Sequence, residues 1–221
     1  MNGAVKTILF DFEGTLVDFQ WRLEDAEAEA AALLKKYEVL RGNRPRIHYA
    51  RAMNRALEHR QKTGQAQVVS ELALIYDRYD ADALSRWKVR PGVHVMLQKI
   101  RTWGVKTGLV SNVGRKHLDL ALEKLALGIG LDATVSRDEA LWLKPHPRGI
   151  LLALEKLGSL KPQALFIGDS LDDVSAARHA GLQVMIITGG QHSLRPLQKA
   201  APEGIFKDWK EFLFRLKGLC S

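Results

Sequence analysis

The stretch Val5-Lys6-Thr7-Ile8-Leu9-Phe10-Asp11-Phe12-Glu13-Gly14-Thr15-Leu16 decides the fold of this 221-residue chain. Its first six residues are mostly β-branched or apolar, which is typical of a buried strand. The strand ends abruptly at Asp11, and Glu13-Gly14-Thr15 then breaks the apolar pattern. We therefore predict a core strand that carries a carboxylate directly at its carboxyl end.

Helices and strands alternate in the second part of the chain. Apolar strands are predicted at 106–111, 133–135, 164–168 and 184–188, and helices at about 93–103, 116–126, 147–157 and 173–180. Such alternation indicates a parallel sheet with helices on both faces. The expected fold class is α/β, a three-layer, Rossmann-like parallel sheet.

The residues between the first strand and this alternating part have a different composition. From about Trp21 to Lys88, Ala, Leu, Glu, Lys and Arg dominate, and Leu23, Ala26 and Ala30 recur near the helical period. We predict an inserted α-helical cap at 18–88, within a core formed by 1–17 and 89–221. Trp21 and Trp87 lie near the ends of this insertion, where we expect them to pack at the hinges.

The composition is that of an ordinary soluble globular protein, with 46% apolar and 26% charged residues. The single cysteine, Cys220, excludes an internal disulfide, and no apolar run approaches the ~18 residues of a membrane helix. We expect a cytoplasmic protein, a monomer or homodimer, without a membrane partner. The net charge of +8 favours a small anionic ligand, but the dispersed basic residues argue against nucleic acid. Arg44, His48, Arg51 and Arg55 are predicted to share one basic helix face, which is solvated or, as the alternative, contacts the substrate.

Polar residues follow the predicted strands immediately. Asp11 and Ser111 end two of them, Asp169 follows a third, and Lys144 lies in the loop before the helix that leads to that third strand. Ligands of such sheets bind beyond the carboxyl ends of the strands. Because several carboxylates in one cleft repel each other, a divalent cation is expected between them, and Mg²⁺ suits oxygen ligands and a substrate phosphate. The set can support phosphoryl transfer, with an aspartate as nucleophile.

Four motifs in this order resemble those of the haloacid dehalogenase superfamily, in particular its capped, phosphoglycolate phosphatase-like hydrolases. They are Asp11-Phe12-Glu13-Gly14-Thr15-Leu16, Leu109-Val110-Ser111-Asn112, Lys144-Pro145, and Gly168-Asp169-Ser170-Leu171-Asp172-Asp173. Each motif alone is weak, but four in order at strand ends or adjoining loops are specific. The resemblance covers the chain outside the cap.

The resemblance implies a role for each matching residue. Asp11 would attack phosphorus, and the carboxylates of Asp11, Asp169 and Asp173, with the backbone carbonyl of Glu13, would hold or support Mg²⁺. Ser111, Asn112, Lys144 and Thr15 would bind or orient the phosphorylated substrate. Glu13 would be the general acid/base. The implied activity is hydrolysis of a small phosphorylated metabolite.

Glu13 departs from the family pattern, which usually has Asp at this position. The added methylene moves the carboxyl group by roughly 1 Å, and misplacements of ~1 Å can cost ~100-fold in rate. We expect a working enzyme, since glutamate can perform the same proton transfers. The alternatives are a phosphonate hydrolase using Lys35 or Lys36, a dehalogenase, a phosphomutase, or a non-catalytic protein that binds a phosphorylated ligand.

Overall fold

A six-stranded sheet of parallel strands forms the centre of the molecule. A computed structural model describes residues 4–219. The strands pair in the order β3-β2-β1-β4-β5-β6, and every pair is parallel. They span Thr7–Phe10 (β1), Lys106–Val110 (β2), Ala133–Val135 (β3), Ala164–Gly168 (β4), Gln183–Ile187 (β5) and Gly204–Phe206 (β6).

The central strand β1 is apolar along its length because both of its faces are covered. Ile8 and Phe10 belong to one apolar cluster, whereas Leu9 belongs to the cluster on the opposite face. All three side chains are fully buried. Successive residues of a strand point to opposite faces, so this alternation gives a sheet between two helical layers. The predicted three-layer α/β fold is confirmed.

Helices connect the strands and cover the sheet. Those outside the predicted insertion span Val93–Thr102 (α4), Arg115–Lys124 (α5), Arg137–Ala140 (α6), Arg148–Leu157 (α7), Leu171–Ala180 (α8), Leu194–Lys199 (α9) and Trp209–Lys217 (α10). Four of these helices were predicted from the sequence, whereas α6, α9, α10 and the last strand, β6, were not. None of the helices in residues 4–219 combines the length and the apolar character that crossing a bilayer requires.

Three helices lie between β1 and α4, and each packs against the other two. They span Leu23–Lys36 (α1), Tyr49–Thr63 (α2) and Gln67–Leu84 (α3), and no strand occurs between residues 18 and 88. Leu34, Leu72 and Tyr76 are fully buried among them. The helical character expected for this segment is therefore present.

The basic face predicted for this segment needs a correction. His48 precedes α2, which begins at Tyr49, and it is partly buried against Asp172. Arg44 lies further upstream in irregular chain, so neither residue is on one helix with Arg51 and Arg55. Pro45 follows Arg44, and a proline restricts the preceding residue to extended backbone. All three arginines are exposed, as expected for solvated charges.

The strand order reverses at the centre of the sheet. From β1 the chain builds β2 and β3 on one side, then crosses back to build β4, β5 and β6 on the other. In open parallel sheets, ligands bind at such a switch point, beyond the carboxyl ends of the strands. Asp11 follows β1 and Asp169 follows β4, so the fold brings these two carboxylates to the reversal.

Candidate active site

Asp11 extends from the end of β1 into a buried polar cluster. Its backbone nitrogen donates to the carbonyl of Ile167 at 2.9 Å, which ties the loop after β1 to β4. Its carboxylate accepts a hydrogen bond from the Thr15 hydroxyl at 3.1 Å. The Thr15 hydroxyl also lies 3.2 Å from a carboxylate oxygen of Asp169. Thr15 is fully buried and outside the cleft lining, so it orients carboxylates and does not itself contact the cleft.

Asp169 and Asp173 are fixed by the start of α8. Ser170 caps this helix: its hydroxyl accepts from the backbone nitrogen of Asp173 at 3.2 Å, while an Asp173 carboxylate oxygen lies 2.6 Å from the Ser170 hydroxyl oxygen. That same carboxylate oxygen accepts from the backbone nitrogens of Asp169 and Ser170. The reciprocal capping satisfies the N–H groups of Ser170 and Asp173 and holds Asp173 in one orientation.

Lys144 connects two of the carboxylates. Its ammonium group donates to Asp11 and, at 2.7 Å, to Asp173. All three side chains are buried. Although burial lowers the pKa of Lys144, the two carboxylates raise it more, so the ammonium remains charged at neutral pH.

The carboxylates fit a divalent cation. Ligand oxygens of Asp11, Asp169 and Asp173 all lie within 4.8 Å of one another. Three carboxylates and the single ammonium of Lys144 leave two uncompensated negative charges, which one divalent ion would neutralise. Hard oxygen ligands of this kind suit Mg²⁺.

Glycines bring the backbone close to this cluster. A Cβ atom on Gly14 or Gly190 would overlap the carboxylate of Asp169, and one on Gly168 would overlap that of Asp173. Gly14 has φ +79°, a left-handed conformation that favours glycine. Glycine is therefore required where the backbone borders the candidate ion site.

Without a metal, the buried carboxylates retain protons more strongly. Burial raises the pKa of Asp11 to about 6, and the Asp173 carboxylate adds to this, while Lys144 opposes it. Burial, followed by the Asp173 and Asp11 carboxylates, raises the pKa of Asp169 well above its usual value. These shifts have the sign expected for a cluster that needs a further cation.

Ser111 and Asn112 border the same cleft from the end of β2. The Ser111 hydroxyl oxygen accepts from the backbone nitrogen of Val113 at 3.1 Å, so its own hydrogen remains available for a ligand oxygen. The Asn112 amide joins two segments: its oxygen accepts from the backbone nitrogen of Lys144 and its nitrogen donates to the Tyr49 hydroxyl. Both residues line the cleft, as predicted from the sequence.

Glu13 lines the cleft on the side of the helical insertion. Trp87 donates from its indole nitrogen to a carboxylate oxygen of Glu13 at 2.8 Å. Burial, followed by the nearby Asp80 carboxylate, raises the pKa of Glu13 well above its usual value, and the Trp87 hydrogen bond only partly opposes this. A carboxyl group whose pKa is raised holds its proton more strongly, which suits a general acid.

The insertion closes the cleft. Phe19 and Tyr49 contribute to its lining, and the remaining space has a volume of only about 20 Å³. That is room for little more than one water molecule. In this conformation the cleft beside Asp11 is therefore narrow.

A buried ion pair joins the insertion to the rest of the protein. Arg137 on α6 donates to Asp80 on α3 at 2.9 Å and to Asp77 at 2.5 Å. Asp80 also accepts from the backbone nitrogen of Gly114 and from the indole of Trp21. Trp21 and Trp87 are therefore buried at the ends of the insertion, as expected, and each also donates a hydrogen bond to an acidic residue.

Several of these contacts were not identified from the sequence. Arg90 donates to the carbonyls of Gly14 and Thr188 and so holds the loop after β1. The Trp87–Glu13 and Arg137–Asp80 pairs were also missed. Conversely, Lys35 and Lys36 do not line the cleft, and Lys36 pairs with Glu71.

Comparison with protein families gives a clear assignment. The family model of haloacid dehalogenase-like hydrolases matches residues 5–181, which is most of the chain. The chain belongs to this family. The resemblance inferred from the four motifs is confirmed.

Relatives of this haloacid dehalogenase-like hydrolase include named phosphatases. It is 29% identical over 218 residues to phosphoglycolate phosphatase 1 of Pseudomonas aeruginosa, with 94% of this chain and 78% of that protein covered. It is 27% identical to phosphoglycolate phosphatase of Mannheimia succiniciproducens, with coverages of 96% and 99%.

Solved structures share the fold. A predicted phosphatase from Clostridium acetobutylicum superposes with a TM-score of 0.69 at 20% identity, covering 98% of this chain and all of that chain. A predicted phosphoglycolate phosphatase from Haemophilus somnus gives a TM-score of 0.66 at 24% identity, with coverages of 96% and 97%. At these identities the comparison establishes the architecture.

Proposed function

We propose that this hydrolase is a Mg²⁺-dependent phosphomonoesterase that forms an aspartyl phosphate on Asp11. The observation that carries the proposal is the arrangement of Asp11, Asp169 and Asp173, whose oxygens converge on one point while Lys144 contacts two of them. The named relatives support phosphate-ester hydrolysis as the reaction class. The substrate is a small phosphorylated metabolite.

In the first half-reaction, a carboxylate oxygen of Asp11 attacks phosphorus. The bond between phosphorus and the ester oxygen breaks, and the departing oxygen takes the proton of Glu13. Lys144 and Ser111 hold phosphoryl oxygens and keep phosphorus in line with Asp11. The product alcohol leaves, and the phosphoryl group remains on Asp11.

In the second half-reaction, the deprotonated Glu13 accepts a proton from water. The water oxygen attacks phosphorus, and the bond between phosphorus and Asp11 breaks. Inorganic phosphate leaves, Asp11 regains its carboxylate, and Glu13 regains its proton. Glu13 thus serves as acid and then as base, which agrees with the raised pKa of its carboxyl group.

The metal would be held by Asp11, Asp169 and Asp173, together with the backbone carbonyl of Glu13 that the family resemblance implies. When bound, Mg²⁺ would neutralise charge on the phosphoryl oxygens and the surrounding carboxylates. Lys144 would remain beside Asp11 and share this task. The uncompensated charge of the cluster supports this assignment.

We further propose that residues 18–88 act as a cap that opens to admit substrate and closes to exclude water. Two observations support this: the small volume of the closed cleft, and Phe19 and Tyr49 in its lining. The hinges would lie near Asp18 and Lys88, where the Lys88 backbone nitrogen donates to the Asp18 carboxylate at 2.7 Å.

The test is phosphate release from a panel of monoesters that includes p-nitrophenyl phosphate, with Mg²⁺ and with chelator. Asp11→Asn should abolish release. Acid quenching during turnover of a ³²P-labelled ester should leave label on the wild-type protein, removable by hydroxylamine, and none on Asp11→Asn. Binding of phosphate esters without release would instead favour the non-catalytic alternative and refute the proposal.

A further inference from the structure

Asp172 is an acidic residue that the proposed chemistry does not use, yet it lines the candidate active-site cleft. It lies in the first turn of α8, next to Asp173, and its side chain is 20% exposed. Asp173 is engaged with Lys144 and Ser170, whereas Asp172 has one polar contact among the described residues, 3.4 Å from the Nε2 atom of His48. Apart from that contact, no hydrogen bond or ion pair of the described residues engages the Asp172 carboxylate, which faces the cleft.

Among the described residues, Lys144 is the one basic side chain that the cleft around Asp172 could offer to an anionic leaving group. Of the residues in 4–219 that line it, only Lys144 is a lysine or arginine, and Lys144 already contacts Asp11 and Asp173. The remaining groups outside the phosphoryl site are the Tyr49 hydroxyl, the Gln191 side chain and the Phe19 ring. These groups suit hydroxyl groups or a short carbon chain and offer no charge to a carboxylate.

Other titratable groups near Asp172 do not offset its negative charge. His48 and His192 face it, and the pKa of each is lowered, chiefly by burial, which favours the neutral ring. Arg51 on α2 is close enough to influence Asp172 electrostatically, but it is exposed and does not line the cleft. Charge of one sign in a site rejects ligands of that sign.

We infer that Asp172 selects the substrate by charge: it disfavours monoesters whose leaving group carries a carboxylate and favours those that carry a hydroxyl or an ammonium group. The inference rests on the proposed phosphatase function and specifies its substrate class. It also implies that the substrate named for the relatives, phosphoglycolate, is a poor substrate of this chain. Sequence identity below 30% leaves room for such a difference.

The test uses three monoesters of nearly equal size that differ in the charge of one group: 2-phosphoglycolate, 2-hydroxyethyl phosphate and 2-aminoethyl phosphate. For the wild-type protein with Mg²⁺, we expect kcat/KM for the hydroxyl and amino esters to exceed that for phosphoglycolate by roughly 10-fold or more. A ratio near one, or a preference for phosphoglycolate, overturns the inference.

Asp172→Asn keeps the shape of the side chain and removes its charge. The ratio of kcat/KM between the amino and carboxylate esters should fall by about 10-fold or more. Asp119→Asn removes an exposed carboxylate on α5 that pairs with Arg115, and should leave the ratio unchanged. An unchanged ratio in Asp172→Asn also overturns the inference.

The outcomes separate this inference from the proposed function. If no ester releases phosphate, including p-nitrophenyl phosphate, the proposed function fails and the inference fails with it. If p-nitrophenyl phosphate is hydrolysed but the charge series shows no preference, only the inference fails. Should Asp172→Asn not fold, the wild-type series alone decides.

Discussion

The indole nitrogen of Trp87 donates a 2.8 Å hydrogen bond to the carboxylate of Glu13, across 74 positions of sequence. Trp87 is almost fully buried at the end of the helical insertion, and its ring packs edge-on against Phe12 at 5.2 Å between centroids. The bond ties the residue proposed as acid/base to the hinge of the proposed cap. The bond also holds the Glu13 side chain in one position; this side chain is one methylene longer than that of the aspartate usual in the family.

Trp87→Phe should lower kcat about 5- to 10-fold while changing KM little. The phenyl ring can keep the contact with Phe12 but cannot donate a hydrogen bond, and a lost bond to a charged or polar partner costs roughly 1–1.5 kcal/mol. Glu13 would then sample positions away from the leaving oxygen, which affects the proton transfer more than substrate binding. Steady-state kinetics on p-nitrophenyl phosphate measure both constants.

The same substitution in a Glu13→Asp background provides the control. An aspartate side chain is one methylene shorter and should not reach Trp87, so Trp87→Phe should have little further effect on kcat there. A double-mutant cycle measures this coupling. Equal losses in both backgrounds would show that Trp87 acts through packing alone.

Local patterns were sufficient to predict the sheet and most of the residues that border the cleft. Continuous apolar strands ending at Asp11 and Ser111, or just before Asp169, revealed both the fold and the edge where polar groups meet. The short strand β6 was missed because one of its three residues, Gly204, is unfavourable in strands and leaves only Ile205 and Phe206 as a pattern.

Pairings between distant segments could not be predicted in the same way. Trp87 with Glu13, and Arg137 with Asp80, are separated by 74 and 57 positions. Which partner a buried polar group finds depends on how the insertion docks on the sheet domain, and hydrophobic periodicity does not specify docking. The position of Trp87 near the end of the insertion indicated burial but gave no indication of its partner.

Glu13→Gln should reduce kcat by about 100-fold or more, whereas Glu13→Asp should retain activity within roughly 10-fold. Glutamine keeps the size of the side chain and cannot transfer a proton, and general acid–base catalysis contributes roughly 10²- to 10⁴-fold. Aspartate restores the residue usual in the family at the cost of the Trp87 contact. A fully active Glu13→Gln protein would exclude Glu13 as the acid/base.

Asp80→Ala should destabilise the protein by roughly 3–5 kcal/mol, since it removes one partner of a buried ion pair. Among the described residues, Arg137 would keep Asp77 as its one ion-pair partner, and the donors of Trp21 and Gly114 would lose their acceptor. Urea denaturation followed by tryptophan fluorescence measures the change in free energy of unfolding.

Glu24→Ala is the matched control for this measurement. Glu24 pairs with Arg46 at 2.8 Å, but its side chain is 83% exposed. Exposed pairs contribute less than about 1 kcal/mol. Similar losses for the two alanine variants would contradict the view that the Asp80–Arg137 pair secures the docking of α3.

Mg²⁺ should stabilise the protein more at about pH 7.5 than at about pH 5. The pKa of Asp11 rises from 3.8 to about 6 on folding without metal, so the folded state holds its proton more strongly than the unfolded state. That contribution to stability is complete below pH 3.8 and is lost as the pH rises through about 6. At higher pH, Mg²⁺ binding to the deprotonated carboxylates supplies stability in place of this lost contribution.

Thermal melting with Mg²⁺ and with chelator at both pH values measures this difference. The melting temperature of the metal-free protein should fall as the pH rises over this interval, and the increase caused by Mg²⁺ should grow. Asp11→Asn should lose most of the Mg²⁺ effect at the higher pH. An increase in melting temperature that is independent of pH would show that the carboxylate cluster is not where the ion binds.

Gly190→Ala should weaken Mg²⁺ binding by about 10- to 100-fold, because residues that orient metal ligands typically contribute this much to affinity. An alanine Cβ at this position would overlap the Asp169 carboxylate, whose oxygen also accepts from the backbone nitrogen of Gln191 at 2.5 Å. The Asp169 carboxylate, or the loop that carries Gly190, must then move, and the Asp169 oxygen leaves its position close to the oxygens of Asp11 and Asp173.

Gly128→Ala is the control: the added Cβ meets nothing within 4 Å, so Mg²⁺ binding should be unchanged. Titration calorimetry measures the Mg²⁺ affinity of both variants. Equal affinities would mean that the loop after β5 can change its backbone conformation without displacing Asp169.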